Sequence, residues 1–414
     1  MMNNMVKEGD MKGANDKRLV PELRFPEFKK DWDVDSMQSI FDMKNGYTPS
    51  KSNPTYWDNG TIPWFRMEDI RKNGHILSDS IQHVTRQAVK NSGLFPAYSI
   101  IVATTATIGE HALVIVDSLA NQRFTFLIKR KSFKDKINMM YFHHYMFIID
   151  EWCKKNTNSG GLVSVNMPAF KQLLIPFPSL AEQQKIAECL SSIDEEISAI
   201  KEKVEQLKVH KKGLMQKLFP IAGKFVPELR FPEFRDSKNW KATKISDIFL
   251  LTRGNVLSVS AVKNAPTQEY KYPVYSSQTL NNGLMGYYNK KLYKDAITWT
   301  TDGANAGTVR LRLGYFYCTN VCGVLLNDSG YANKCISEII GLRTKEYVSH
   351  VGNPKLMNKV MGEIPITIPP TLSEQQKIAD CLSSIDELIS LYENKVTVLE
   401  QHKKGLMQRL FPKL

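Results

Sequence analysis

The chain has 414 residues, 42% of them hydrophobic, and carries 55 Lys and Arg against 42 Asp and Glu for a formal charge of +13. That length supports roughly two to four compact domains, each with its own core, which excludes a disordered tail. No apolar run approaches the ~18 residues that span a bilayer. The opening MMNNMVKEGDMKGANDKR is too polar for a signal peptide's hydrophobic region, so a soluble, cytoplasmic protein is expected.

In chain order, residues 1–18 read as a disordered extension with no assigned role. The word VPELRFPEF follows at Val20 to Phe28 and returns at Val226 to Phe234. Lys29 to Ser179 is the size of one domain and holds 18 Lys and Arg against 13 Asp and Glu. Its strand-like runs, SIIVAT (Ser99 to Thr104), ALVIV (Ala112 to Val116) and FTFLIK (Phe124 to Lys129), alternate with Gly-, Thr-, Asn- and Ser-rich loops, which predicts a mixed α/β head. The loops offer Thr104, Thr105, Thr107, Asn121, Gln122 and Arg123 as groups able to meet base edges or phosphates. Each of these residues is also an ordinary turn former.

Leu180 to Pro220 reads as a long helix. Its apolar positions step by four and three through Ile186, Leu190, Ile193, Ile197, Ile200, Val204 and Leu207, are interrupted at Lys211, and resume at Leu214 and Leu218. Pro178 and Pro220 bracket it, and Gly213 is expected to weaken its last turns.

The second half repeats the plan. Arg235 to Thr371 is another domain-sized segment, with 17 Lys and Arg against 9 Asp and Glu. It offers Ser276, Ser277, Gln278, Asn281, Asn282, Thr300, Thr301, Asp302, Asn305, Arg310 and Arg312 as candidate DNA contacts. Leu372 to Pro412 matches Leu180 to Pro220 at 29 of 41 positions, offset by 192. Its seam runs Ile378, Leu382, Ile385, Ile389, Tyr392, Val396, Leu399, Lys403, Leu406 and Leu410, with Gly405 matching Gly213. A seam needs a partner, and two copies supply one, so an antiparallel pair is expected in preference to each helix packing on its own head.

The helical segments Leu180 to Pro220 and Leu372 to Leu414 are electrically balanced, at 7 against 7 and 6 against 6, so the whole positive surplus sits on the two heads. That partition fits a polyanion held by the heads and neutral helices serving as spacer and protein dock. Cys153, Cys189, Cys318, Cys322, Cys335 and Cys381 are too scattered for a disulfide framework and read as free thiols. Cys318 and Cys322 have no second pair or His doublet nearby and read as buried hydrophobes rather than zinc ligands.

The layout and its words resemble the specificity subunits of type I restriction-modification systems over nearly the whole chain. PFPSLAEQQKIAECLSSID and IPPTLSEQQKIADCLSSID carry the resemblance most specifically, with GYTPS (Gly46 to Ser50), IPWF (Ile62 to Phe65), YPVYSSQ (Tyr272 to Gln278) and WTTDGANAGTV (Trp299 to Val309) in the heads. The resemblance implies an α/β (mixed α+β) fold with two DNA target recognition domains, 19–179 and 221–371. Spacer helices at 180–220 and 372–414 follow them and pair as an antiparallel coiled coil with pseudo-twofold symmetry. Thr48, Ser50, Lys51, Arg66 and Arg253 join the candidate DNA contacts.

The resemblance further implies double-stranded DNA, two methyltransferase subunits and restriction/translocase subunits as partners, no membrane, and no catalytic residue, metal or cofactor on this chain. S-adenosylmethionine, ATP and Mg2+ are expected on the partners. In keeping with this, the sequence has no NPPY, NPPF or DPPY for a flipped adenine, no GxxxxGK[ST] and no adenosylmethionine-type glycine loop. The acidic run Asp194, Glu195 and Glu196 reads as a solvated helix face. Alternatives at this stage are a self-contained methyltransferase or nuclease, a specificity subunit of another bipartite restriction-modification type, and a coiled-coil adaptor that binds no DNA. A seam of 33 residues, Ile186 to Leu218, spans about 50 Å. It predicts half-sites of roughly 3 to 5 base pairs separated by about 5 to 8 unread ones.

Overall fold

The computed structural model describes residues 21–158, 163–221, 223–277 and 280–414. The expected extension 1–18 and Gln278 lie outside them. The chain divides into two compact units, one formed by 1–199 with 395–414 and the other by 200–394, so each holds one head and part of both long helices.

In the first unit the head's ends are clasped together. Strand Asp33–Ser36 pairs antiparallel with Leu174–Phe177, bringing Asp33 opposite Phe177. Between them lie a five-stranded sheet in the order Phe41–Asn45, Phe124–Lys129, Ser99–Ala103, His111–Val114 and Ile76–Leu77, and a three-stranded one in which Ile62–Phe65 runs parallel to Leu119–Ala120. The runs Ser99–Ala103 and His111–Val114 are buried throughout, as the apolar residues that follow Ser99 and His111 require. Helix Met139–Lys155 starts on an Asn138 side chain that accepts from the Met140 and Tyr141 amides. Its Tyr141, Phe142 and Tyr145 share a core with Phe41, Ile186, Leu190, Met407, Leu410 and Phe411, so this head sits directly on the helix pair.

The second unit uses the same clasp, Lys241–Lys244 against Pro365–Ile368. Its six-stranded sheet runs Leu250–Arg253, Cys322–Leu326, Tyr293–Thr300, Val309–Cys318, Tyr272–Tyr275 and Leu284–Tyr288. Helix Lys334–Thr344 joins Trp299, Leu325, Leu218 and Leu382 in one core.

The long helices are Leu180–Leu218 and Leu372–Leu410, 39 residues each. Gly213 and Gly405 do not end them, because tertiary packing rather than propensity carries a helix of this kind: Leu218 and Phe219 are buried in the second unit's core, and Leu410 and Phe411 in the first's. Pairing is antiparallel within each unit. In the first, Asp194 meets Lys403 at 2.6 Å and Glu196 meets Lys395 at 2.8 Å. In the second, Lys208 meets Glu393 at 3.1 Å and Lys211 meets Asp386 at 2.7 Å. The seam interruptions are thus one repeated device, Lys403 with Asp194 and Lys211 with Asp386. Along the seam Ile186, Leu190, Ile197, Ile378 and Leu382 are buried, whereas Ile193, Leu207, Ile385, Ile389 and Leu399 are half-buried.

The repeated words form a latch that occurs in both units. Arg24 donates two hydrogen bonds to Glu182 at 2.7 and 2.8 Å, and Arg230 does the same to Glu374 at 2.7 and 2.8 Å. Such planar bidentate pairs are specific as well as strong. The neighbouring glutamines cap loops of the heads: Gln183 accepts from the Asn138 amide at 2.8 Å and Gln375 from the Asn333 side chain at 2.8 Å. ELRFPEF and EQQ therefore recur because they lock helix to head. No helix among the described residues is long and apolar enough to cross a membrane.

Candidate nucleic-acid interface

The two heads share little sequence, yet their loops hang on one hydrogen-bond skeleton. In the first, the Gly46 amide donates to Phe124 O (2.9 Å), Tyr47 to Ala120 O (2.8 Å), Thr104 to Arg123 O (3.1 Å), Gly109 to Ala103 O (3.0 Å) and Val165 to Thr104 O (2.9 Å). In the second, Gly254 donates to Cys322 O (3.0 Å), Asn255 to Cys318 O (3.1 Å), Thr301 to Val321 O (3.0 Å), Gly307 to Thr300 O (2.8 Å) and Leu356 to Thr301 O (2.9 Å). Isolated bridges Thr105–Ser164 and Asp302–Lys355 complete the match. A Cβ on Gly46 would lie 2.3 Å from Asn121 O, and one on Gly254 2.2 Å from Cys318 O, so both positions demand glycine for the close approach of two loops.

This skeleton brings Thr48, Asn121, Gln122, Arg123 and Thr105 into one cluster in the first head. Thr48 donates to Gln122, Asn121 Oδ1 accepts from the Arg123 amide at 3.0 Å, and the Asn121 amide donates to Phe65 O at 3.0 Å, next to Arg66. Gln122, Arg123, Ser50 and Lys51 are exposed, and the Arg66 guanidinium lies 5.8 Å from the Trp64 ring. Thr104 is buried and bonded to Thr125 at 3.1 Å, so its side chain shapes the loop from beneath. Thr107 lies apart, lining a cavity of about 600 Å³ with His75, Glu110, Asp150 and Lys154.

In the second head Asn305 donates from Nδ2 to Ser277 O at 3.4 Å, Thr319 Oγ1 to Ser276 Oγ at 3.0 Å, and Thr301 Oγ1 to Asp302 Oδ2 at 2.5 Å. Asn281 and Asn282 take left-handed backbone angles, φ 48° and 57°, which asparagine tolerates better than most residues. Arg310 donates to Asn282, and both line an open cleft of about 880 Å³ that Lys211, Lys334, Glu338 and Asp386 also line. Thr300, Thr301 and Arg312 are buried. Arg312 stacks 3.6 Å from the Tyr275 ring and bonds Thr298 at 3.2 Å, and burial pulls its pKa below the usual arginine value. Arg253 is tied to Asn358 at 3.0 Å. The structure thus separates exposed loop residues from buried ones that brace them.

The skeleton adds residues that the sequence reading missed. Tyr47 and Asn255 correspond, as do Gln122 and Asn320, and Ser164 and Lys355, and the last three of the second head, Asn255, Asn320 and Lys355, are exposed. A signal for Asn320 existed: TNVCG and NQRF each link two apolar runs.

Beneath the 104–110 loop of the first head lies a histidine cluster. His111 donates from Nδ1 to Asp150 Oδ2 at 2.6 Å, and His75 from Nδ1 to His111 O at 2.8 Å. His143 packs on His111 with ring centroids 5.1 Å apart. Burial, then the charges of its histidine neighbours and Lys403, drives His143 well below its usual pKa. Burial, with Lys403 and His111 nearby, lowers His144 to about 3. A Cβ on Gly109 would lie 3.0 Å from Asp150 O, and its φ of +88° is one that other residues rarely adopt.

The type I restriction modification DNA specificity domain is the family model that matches this chain, twice, at residues 29–209 and 237–401. The specificity subunit of the type I restriction enzyme EcoprrI from Escherichia coli is 34% identical over 378 residues, covering 89% of this chain and 90% of that protein. That of MjaIX from Methanocaldococcus jannaschii is 27% identical over 415 residues, covering 92% and 93%. The crystal structure of a type I restriction-modification S subunit from M. genitalium aligns with a TM-score of 0.65 at 18% identity, over 95% of this chain and all of that one. A structure from work on assembly and conformational transition of the type I R-M system aligns at 0.56 and 14% identity, over 94% of this chain and all of that one. At these identities the two structures speak for the fold alone. With two matched domains, each ending in a paired long helix, the chain belongs to the type I restriction-modification DNA specificity family.

Proposed function

We propose that each head reads one half of a bipartite double-stranded DNA target through its loop cluster, and that the chain itself catalyses nothing. The observation that carries this reading is one loop skeleton bearing different side chains in the two heads: Gln122 where the other has Asn320, Thr105 where it has Asp302, Ser164 where it has Lys355. A common frame with exchanged tips is what two readers of different sequences require, since base edges are told apart by donor and acceptor patterns. The positive surplus confined to the heads supports it, because phosphate contacts supply most of the affinity for a duplex.

In this reading the electrically balanced helices dock two methyltransferase subunits, and restriction/translocase subunits join through them. S-adenosylmethionine, ATP and Mg2+ belong to those partners, and the complex works in the cytoplasm where the DNA is. The clasped ends of each head support exchange as a module. Replacing Lys29 to Ser179 by the equivalent segment of a relative is expected to change one half-site in the methylome and leave the other untouched. Simultaneous change in both half-sites would sink separate reading.

A further inference from the structure

We propose that Lys271, Lys291 and Lys294, gathered around Tyr272 and Tyr315, form a second duplex contact on the second head that grips phosphates outside the half-site its loops read. The inference rests on the DNA-reading role above and adds a surface to it.

The patch is built from three pieces of chain. Tyr272 and Tyr315 meet edge to face with centroids 6.3 Å apart. The Lys291 ammonium sits 3.4 Å from the Tyr315 centroid and 6.0 Å from that of Tyr272, Lys294 lies 5.5 Å from Tyr315, and Lys271 lies 5.4 Å from Tyr272. All three lysines are exposed, and Tyr315 is 46% exposed. Among the described residues only Lys294 has a carboxylate within reach, Asp295 at 3.5 Å, and that side chain also accepts from the Gly314 amide at 2.7 Å. Lys271 and Lys291 therefore hold their charge against ring faces rather than against an acid.

Position separates the patch from the reading loops. Lys294 stands near the start of strand Tyr293–Thr300, and the loop cluster begins at its far end. Six residues of strand amount to about 20 Å, or roughly six base pairs at 3.4 Å each. A bulge between Lys294 and Ala296, with Asp295 at φ 44°, bends the strand there. The chemistry favours phosphate over bases. Ammonium groups are point charges without the planar fork that reads a guanine edge. The Tyr315 face is already covered by Lys291, so no base stacks on it while that lysine stays.

The test uses the full chain in its methyltransferase complex, the target defined by methylation mapping, and two duplexes. One ends at the second half-site and the other extends about one helical turn (~10 base pairs) beyond it. Binding is followed between ~50 and ~200 mM salt. The wild type is expected to show the steeper salt slope on the extended duplex. K271A/K291A/K294A should lower that slope by about 2 to 3, near 0.9 per lost phosphate contact, and leave the short duplex and the preference for the cognate half-site unchanged. The charge-keeping K271R/K291R/K294R should retain the slope, which separates charge loss from misfolding. An unchanged slope in the alanine variant, lost cognate preference, or loss of a protein partner instead of flanking DNA would overturn the proposal. A wild type that fails to distinguish cognate from scrambled duplex would overturn the half-site reading instead.

Discussion

At the scale of single residues, the buried ion pair Arg230–Glu374 has side chains 7% and 1% exposed, and Glu374 also accepts from Trp240 Nε1 at 3.1 Å. Removing one member strands a buried charge, so Glu374→Ala is expected to cost about 3–5 kcal/mol in urea unfolding. Arg230→Met with Glu374→Leu should recover much of that loss, because neither charge is then left uncompensated. Glu182→Ala should cost less, since its partner Arg24 is 18% exposed and can turn to water. His144 makes a pH prediction. Its folded pKa, about 3, lies below the ordinary 6.5, so the fold holds it neutral while the unfolded chain takes a proton. The stabilisation is complete above about 6.5 and is lost as pH falls from there toward 3. From pH 7 to 5 the loss from His144 alone is expected at about 2 kcal/mol. His143 acts in the same sense, and Asp150, raised by burial, in the opposite one. Urea midpoints against pH should show a shallower slope for His144→Gln by about one proton.

At the scale of elements, the long helices hold glycines whose replacement helps, and the heads hold glycines whose replacement harms. A Cβ at Gly213 or Gly405 meets nothing within 4 Å, and both lie inside continuous helix. Gly213→Ala and Gly405→Ala should each stabilise by about 0.5–1 kcal/mol, by restricting the unfolded chain and favouring the helix. Gly46→Ala and Gly254→Ala push a methyl into backbone carbonyls, so they should destabilise and displace the reading loops together. Paired denaturation and duplex-binding measurements check both directions; a Gly213→Ala chain no more stable than wild type would show that the helix end is held by its neighbours alone. The seams themselves were readable from spacing, as were the buried strands Ser99–Ala103 and Phe124–Lys129. Apolar periodicity is a local property, so it survives in the sequence.

At the scale of the whole molecule, the helices are candidates for the ruler between half-sites. One heptad added after Val204 and one after Val396 keeps both seams in register and lengthens each helix by ~10 Å. The unread gap should widen by about 3 base pairs with the half-site sequences unchanged. Three base pairs also rotate the second site by roughly 100° around the duplex, so weaker binding is expected unless DNA twist absorbs it. Methylation mapping decides: an active variant with its original gap shows that spacing is set elsewhere.

The sequence by itself determined the duplication, the two seams, the placement of charge on the heads and the family words, because each is a pattern of identity or spacing along the chain. It could not say what the words were for. Arg24 and Glu182 lie 158 residues apart, and Arg230 and Glu374 lie 144 apart; only the folded heads bring them into bidentate contact. Nor could residue type separate exposed loop residues from buried braces. Thr104, Thr301 and Arg312 look like Gln122 and Asn320 in a list of polar loop residues, yet the first three are buried and the last two face solvent. That division follows from which of these side chains the folded head covers, as Thr125 covers Thr104 and Tyr275 covers Arg312, and those contacts join residues far apart in the chain.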